Sequence, residues 1–446
     1  MKLNSIYFVG IKGVGMATLA VVAKEASINV AGSDVEEEFI TDSILKNKGI
    51  KVDIGFSQDV ISRFLKGKKK EKTLVIVTGA HNGFDNPQAV AAREIGFRVV
   101  SHGQAVGLFM EGAILGKKNI HGVSVCGSHG KTTITAFIAA GARLSGLDPS
   151  YTAGTSEVFP IGPAGHFGKG NYFIAEADEY LSEGKYDRTA KFLYQNPKTL
   201  IINNIDFDHP DFYKDLQDVK ETYRKFVGKL EDDATLIVNG DDTNINDIIK
   251  GVRQRIITYG STPSNDFLIT RFSQSGMNSF FDVEVKGTKV GTFGLSIPGF
   301  YNAKNSLAVI AFLVEQGVSI AKIQQVLPEF KGTKRRMEKV GETKDGKIII
   351  DDYAHHPEEI QKTLEALKEA FPQKRIVCIF QSHTFSRTSA LLSDFISSFN
   401  NAHQVIILPV FASMREKDVS EDTEKQIMAQ FGSLNKNAVF LKFDSS

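Results

Sequence analysis

Cysteine is scarce: Cys126 and Cys378 are the only two in a chain of 446 residues. A disulfide framework is excluded, and neither cysteine has metal-ligand spacing, so a reducing compartment is expected. No sign of charge prevails. Lys and Arg number 53 against 52 Asp and Glu, a net charge of +1. That balance lacks the electrostatic footprint of a nucleic-acid or membrane-surface binder. One basic run, Lys66 to Lys72, reads as a solvated turn. Long apolar runs are missing too. None approaches the roughly 20 residues of a membrane span. Lys12 and the glycines of "MKLNSIYFVGIKGVGM" interrupt the apolar stretch that a signal peptide keeps continuous. A cytoplasmic protein without nucleic-acid or membrane partners is expected.

What is present is ordinary globular material, 42% hydrophobic and 24% charged, enough for several cores. Strand-like and helix-like segments alternate, which predicts α/β architecture with parallel, doubly wound sheets. Three blocks are expected. Residues 1–118 carry "SIYFVG", "NVAGSD", "TLVIVTGA" and "RVVSH" as strands. Residues 119–332, after the linker "GKKN", carry "GVSVCG", "NYFIAEAD", "TLIINNID" and "ATLIVNG". An antiparallel addition is expected over Ile256 to Ile297, followed by the helix "NAKNSLAVIAFLVEQG". Residues 333–446 follow a basic hinge, "GTKRRMEKV", with "KIIIDDY", "RIVCIFQ", "QVIILPVF" and "AVFLKF" as strands. The third block ends without a helix after its last strand, so the chain reads as truncated.

The strongest motif is "GSHGKTT", Gly127, Ser128, His129, Gly130, Lys131, Thr132 and Thr133. It follows an apolar strand and opens a helix, the context a phosphate loop requires. Glycines let backbone N–H groups turn onto phosphate oxygens, and the helix start adds positive potential. Lys131 is expected to face solvent and reach the β/γ-phosphates, and Thr132 to ligate Mg²⁺. The usual first glycine of the pattern is replaced by Val125. A metal carboxylate is sought at neighbouring strand ends, where ligands gather in parallel sheets. "NYFIAEADE" ends in Glu176, Asp178 and Glu179, with Glu176 the expected Mg²⁺ ligand. "TLIINNIDFDH" ends in Asn204, Asp208 and His209, with His209 a ligand candidate.

Two weaker signals flank this centre. "FVGIKGVG" places Gly10, Gly13 and Gly15 between strand and helix, where a diphosphate can sit. Asp34, at the next strand end, can meet a ribose hydroxyl. The spacing is not that of the dinucleotide fingerprint, so a nicotinamide site and a plain turn stay open. In the third block, "DDYAHHPEEI" and "FQSHTFSR" bring polar residues to strand ends, with hydrogen-bonded loop residues as the alternative.

"FVGIKGVGM", "GSHGKTT", "AEADE", "NNIDFDH", "YNAKN", "GTKRR", "DDYAHHP" and "FQSHTFSRT" occur in an order that resembles the Mur ligase family over nearly the whole chain. The resemblance implies a Rossmann-like N-terminal domain for the UDP-sugar, a central P-loop ATP-binding domain and a C-terminal Rossmann-like α/β domain. It implies an ATP-dependent amide-forming ligase of peptidoglycan precursor synthesis, with ATP and Mg²⁺ as cofactors. Lys131, Glu176 and His209 would be catalytic, with Thr132 and Glu176 holding one Mg²⁺ and His209 a second. Asn302 and Asn305 would approach adenine, Arg336 the phosphates and Asp351 the ATP ribose. Gly10, Gly13, Gly15 and Asp34 would meet the UDP part, and His355, His356, His383 and Arg387 the amino acid.

The branch most resembled adds L-alanine to the carboxylate of UDP-N-acetylmuramate. A monomer or weak homodimer is expected. A recycling branch that attaches a preformed murein tripeptide is the alternative. A nicotinamide-dependent dehydrogenase and an inactive nucleotide-binding protein are readings from other classes. Ser128 stands for the usual Thr, and Tyr301 for a common His. Tyr223 appears where some branches carry a carbamylated Lys.

Overall fold

The computed structural model describes residues 1–210, 212–411 and 438–440. Its first sheet has five parallel strands: β1 (Ser5–Val9), β2 (Asn29–Asp34), β3 (Lys51–Ile54), β4 (Thr73–Val77) and β5 (Arg98–Ser101). Their order is β3-β2-β1-β4-β5, with β1 central and paired to β2 and β4. "SIYFV" is buried throughout because both faces of the strand are covered. Ile6 and Phe8 enter one core, Tyr7 and Val9 another. The glycine loop after β1 feeds the Val14–Glu25 helix, whose start is Gly13 with no side-chain cap.

The second sheet has ten strands. They are β6 (His121–Cys126), β7 (Ser150–Val158), β8 (Gly162–His166), β9 (Tyr172–Glu176), β10 (Thr199–Ile202), β11 (Thr235–Asn239), β12 (Arg255–Gly260), β13 (Phe267–Ser275), β14 (Asn278–Val285) and β15 (Thr288–Leu295). Their order is β15-β14-β13-β12-β11-β10-β6-β9-β7-β8. The Lys131–Leu144 and Phe300–Glu315 helices pack together beneath it; a Cβ on Gly141 would lie 3.0 Å from Leu313.

Two expectations change here. β12 pairs in parallel with β11, so the antiparallel part begins only at β13–β14, within the same sheet. The β7–β8 hairpin was not foreseen. Its small and polar residues give no apolar period, yet it receives the N-terminal domain: Thr152 Oγ1 lies 2.6 Å from Thr18 Oγ1, and His166 Nδ1 lies 2.8 Å from Glu25.

The third block contains β16 (Glu338–Glu342), β17 (Ile348–Asp351), β18 (Val377–His383), β19 (Gln404–Phe411) and β20 (Ala438–Phe440). β16 and β17 form an antiparallel ribbon, while β18, β19 and β20 run parallel. "KIIIDDY" thus belongs to the ribbon, not to the parallel sheet as expected. Residues 412–437 and the end of "AVFLKF" lie outside the described residues. The Pro357–Ala370 helix packs Ile360 and Leu364 against Phe380, Phe395 and Val405. The basic hinge is fastened to the central domain: Phe159 N–H donates to Gly332 O at 3.0 Å, and Lys334 N–H to Glu157 O at 3.1 Å.

Candidate active site

The phosphate loop joins β6 to the Lys131–Leu144 helix. Gly127 and Gly130 adopt φ of +139° and +81°, conformations that L side chains rarely take. A Cβ on Gly130 would also stand 2.8 Å from Asn203 Nδ2. That amide belongs to "NNIDFDH", which bolts the loop in place. Asn203 and Asn204 each donate to His129 O at 3.0 Å, and His129 N–H donates to Asn204 Oδ1 at 2.7 Å. Ser128 Oγ donates to Asp206 O at 3.1 Å and accepts from Asp206 N–H at 2.8 Å. Gly130 caps the helix without a side-chain bond, so the first N–H groups face the loop's concavity.

Lys131 is not the solvent-facing residue expected. Its ammonium donates to Gly127 O at 2.6 Å and to both oxygens of Glu179, at 3.0 and 3.2 Å. Burial alone would favour the neutral amine, but Glu179 and Asp178 hold it charged and push its pKa above the usual lysine range. Thr132 Oγ1 donates to Glu176 Oε2 at 3.2 Å, and Gly154 N–H donates to Glu176 Oε1. Burial, with Asp178 beside it, raises Glu176 to about 7.

His209 lies across from Glu179. One ligand atom each from Glu179, Asp208 and His209 falls within 4.8 Å of the others. Among the described residues, the donor group around His209 adds Glu179 and Asp208, while Glu176 pairs with Thr132, the residue expected to share an ion with it. His209 has φ of +59°, uncommon for a non-glycine residue. Its carbonyl accepts from Phe212 and Tyr213, and its N–H donates to Asp208 Oδ1 at 2.7 Å.

A cavity of about 260 Å³ opens beside this loop, between the central and C-terminal domains. Asn302, Asn305, His129, Gly130, Thr133 and Arg336 reach it as expected residues. Asp351 does not line it. Its carboxylate lies 3.6 Å from Arg335, both side chains partly exposed, and Asp352 lines the cavity instead. A phase error of one residue near a strand end exchanges its two faces. Asp241, Lys304 and Glu359 also line the cavity and were missed. Asp241 follows "ATLIVNG", and the strand-end rule applied there would have found it.

The remaining candidates divide. Gly10 has φ of +81°, and an added Cβ would stand 2.3 Å from Thr78. Gly13 starts the helix, and a Cβ on Gly15 would meet His102 Nε2 at 2.6 Å. Asp34 differs from expectation. It is 1% exposed, and its oxygens accept from Lys12 N–H at 2.6 Å and Val35 N–H at 2.8 Å. It is buried within the glycine loop that it shapes, with His81 Nε2 3.3 Å from Oδ1. His355 and His383 have ring centroids 6.4 Å apart. His356 turns away from them, its ring 4.3 Å from His129. Burial lowers both His355 and His356 to about 4. Arg387 is not open at a strand end. The chain turns after β18 into the short Phe385–Ala390 helix, which carries Arg387 onto the central domain. There Nε donates to Asp208 Oδ1 at 3.0 Å, with side-chain exposures of 7% and 6%. Tyr223 is fully buried, its ring centroid 5.2 Å from that of Phe192.

Family models described as "Mur ligase family, catalytic domain", "Mur ligase middle domain" and "Mur ligase, glutamate ligase domain" match residues 5–113, 125–313 and 335–442. The chain belongs to the Mur ligase family. It is similar to the UDP-N-acetylmuramate–L-alanine ligase of Caldanaerobacter subterraneus, 37% identical over 448 residues, 100% of this chain and 91% of that protein. The protein so named from Desulfitobacterium hafniense is 38% identical, covering 93% of this chain and 86% of that one. Among solved structures, the UDP-N-acetylmuramate-alanine ligase of Thermotoga maritima aligns with a TM-score of 0.76 and 27% identity, over 98% of this chain and 90% of that one. A murein peptide ligase from Psychrobacter arcticus shares the fold, with a TM-score of 0.71 at 24% identity over 99% and 91% of the two chains. As a Mur ligase, the chain is an ATP-dependent ligase. No helix among the described residues is long and apolar enough to cross a membrane.

Proposed function

We propose that this Mur ligase joins L-alanine to the carboxylate of UDP-N-acetylmuramate, in peptidoglycan precursor synthesis. The observation that carries this reading is a buried Lys131 ammonium inside a glycine loop, beside two oxygen-rich donor groups and a cavity shared by two domains. The full-length likeness to relatives named for L-alanine addition supports the acceptor. A monomer or weak homodimer in the cytoplasm, without membrane or nucleic-acid partners, completes the proposal.

A carboxylate is a poor electrophile. In the proposed reaction its oxygen attacks the γ-phosphorus of ATP, the bond to ADP breaks, and an acyl phosphate forms. The amine of alanine then attacks the carbonyl carbon. Phosphate departs, the amine loses its proton, and an amide remains. Lys131 and the loop N–H groups hold the phosphate oxygens as negative charge moves between them. Asn302 and Asn305 border the adenine region, and Arg336 and Asp352 close it from the C-terminal side. Gly10, Gly13 and the start of the Val14–Glu25 helix suit a diphosphate. Arg387 acts as a positioning residue: it ties the C-terminal domain to Asp208, and so sets the acceptor side of the site.

The donor sets fit Mg²⁺, a hard cation that prefers oxygen. Thr132 and Glu176 would hold one ion, and His209 with Glu179 and Asp208 another. Bound Mg²⁺ supplies positive charge to the transferring phosphoryl group. Glu176 must give up its proton to such an ion. Its pKa of about 7 therefore sets a sign: apparent Mg²⁺ affinity falls as pH drops below 7, by up to about tenfold per unit, and levels off above. Calorimetry with a non-hydrolysable ATP analogue between pH 6 and 8 checks this. A flat affinity across that range contradicts it.

Acceptor choice is tested by phosphate release with each acceptor supplied alone. L-alanine is expected to be best, with glycine and L-serine weaker, because one methyl or hydroxyl discriminates only about 10- to 200-fold in a small pocket. Faster turnover with L-alanyl-γ-D-glutamyl-diaminopimelate makes the recycling ligase the correct reading.

A further inference from the structure

His129 presents a group of donor atoms different from those around Lys131 and His209. The residue is 8% exposed, and its Nε2 has no hydrogen-bond partner among the described residues. Nε2 stands 3.6 Å from Asp206 Oδ2 and 3.7 Å from Glu358 Oε2. One ligand atom from each of the three residues lies within 4.8 Å of the others. The Nε2 separations are too long for good hydrogen bonds, which end near 3.2 Å. They approach the edge of a four-coordinate metal site, where bonds of about 2.1 Å place neighbouring donors roughly 3.4 Å apart.

The other contacts of these residues prepare the same gap. His129 Nδ1 faces Glu359 Oε1 at 3.5 Å. A carboxylate on that side favours a proton on Nδ1, the tautomer in which Nε2 faces Asp206 and Glu358 as a ligand atom. This is the way carboxylates orient metal-binding histidines. Lys362 occupies the other oxygen of Glu358, leaving Oε2 for the gap. The His356 ring covers one side at 4.3 Å. The Asp206 and Glu358 side chains are 38% and 39% exposed, so an ion has a path in and water can complete its shell.

We propose that His129, Asp206 and Glu358 form a divalent transition-metal site that clasps the central domain to the C-terminal domain. One imidazole nitrogen with two carboxylates is a donor set that Zn²⁺ and Mn²⁺ accept. His129 and Asp206 come from the phosphate loop and the end of β10. Glu358 comes from the first turn of the Pro357–Ala370 helix. With ligands from both domains, a bound ion favours the arrangement that brings them together. It sits in the wall of the nucleotide cavity, where it adds positive charge near the loop.

The test uses metal alone, without nucleotide or substrate, so its outcome is separate from that of the ligase reading. The full chain is titrated with Co²⁺, whose visible absorption reports nitrogen and oxygen ligands, and with Zn²⁺ in competition. Glu358→Gln and Asp206→Asn, one from each domain, are each expected to weaken one bound equivalent at least tenfold. His209→Ala is expected to leave that equivalent intact. Circular dichroism confirms that each variant is folded, and either one alone suffices. Wild-type binding in both folded variants overturns the proposal. So does a wild type whose only binding vanishes in His209→Ala, since His129 is then an imidazolium paired with carboxylates.

Discussion

Lys131→Ala is expected to lower kcat by about 10³-fold or more, the scale for removing a preorganised charge from a transition state. The structure adds a second effect. Lys131 is the cation paired with Glu179, whose side chain is 2% exposed. Removing one partner of a buried pair leaves the other charge without compensation and costs about 3–5 kcal/mol. The alanine variant is thus expected to be inactive and also less stable. The two effects separate in Lys131→Ala/Glu179→Ala. The double variant carries no orphan carboxylate, so its melting temperature recovers much of the loss while activity stays absent. Turnover near wild type in either variant contradicts the phosphate role. A single variant as stable as wild type contradicts the buried pair.

Arg387→Ala is expected to cut kcat/KM for L-alanine by about 100-fold, which corresponds to roughly 3 kcal/mol. Nε of Arg387 donates to Asp208 Oδ1 at 3.0 Å across the boundary of two domains. Burial would raise the Asp208 pKa, but His209 and Arg387 hold it well below the usual carboxylate range. Without Arg387, the carboxylate loses a partner and the C-terminal domain loses a tie on the acceptor side. KM for L-alanine is expected to rise more than KM for ATP. Arg387→Lys is expected to rescue poorly, because an ammonium cannot reproduce the planar guanidinium contact. Asp208→Ala with Arg387→Ala should cost much less than the sum of the two single changes. Additive losses contradict the pairing.

The centre of the site was legible because its residues sit in contiguous motifs at strand ends. "GSHGKTT" gave the loop, Lys131 and Thr132, and the same rule led to Glu176 and His209. What the sequence hid depends on distance and phase. "EADE" offers three carboxylates within four residues, and nothing local says that Glu179 pairs with Lys131 while Glu176 meets Thr132. Asp351 and Asp352 differ by one step of a strand, and only the antiparallel ribbon decides which faces the cavity. Asp34 sits where an acid can meet a ribose, and its bonds to the backbone of the tight glycine turn are contacts that no local pattern announces. Fold reading failed in a similar way. The β7–β8 hairpin lacks apolar alternation because one domain packs against it, so small and hydroxyl side chains serve as well as large apolar ones. Glu358 and Glu359 lie in the "DDYAHHPEEI" motif, but their approach to His129 is a tertiary contact between domains with no trace in local pattern.

The central claim is amide formation through an acyl phosphate. It is tested most directly with UDP-N-acetylmuramate carrying ¹⁸O at both carboxylate oxygens, incubated with ATP and L-alanine. If the carboxylate oxygen attacks the γ-phosphorus, that oxygen leaves with phosphate when the amine displaces it. Mass spectrometry is then expected to find one ¹⁸O in each released phosphate and one retained in the new amide. Amide product with unlabelled phosphate, or ATP cleavage without amide, would contradict the account.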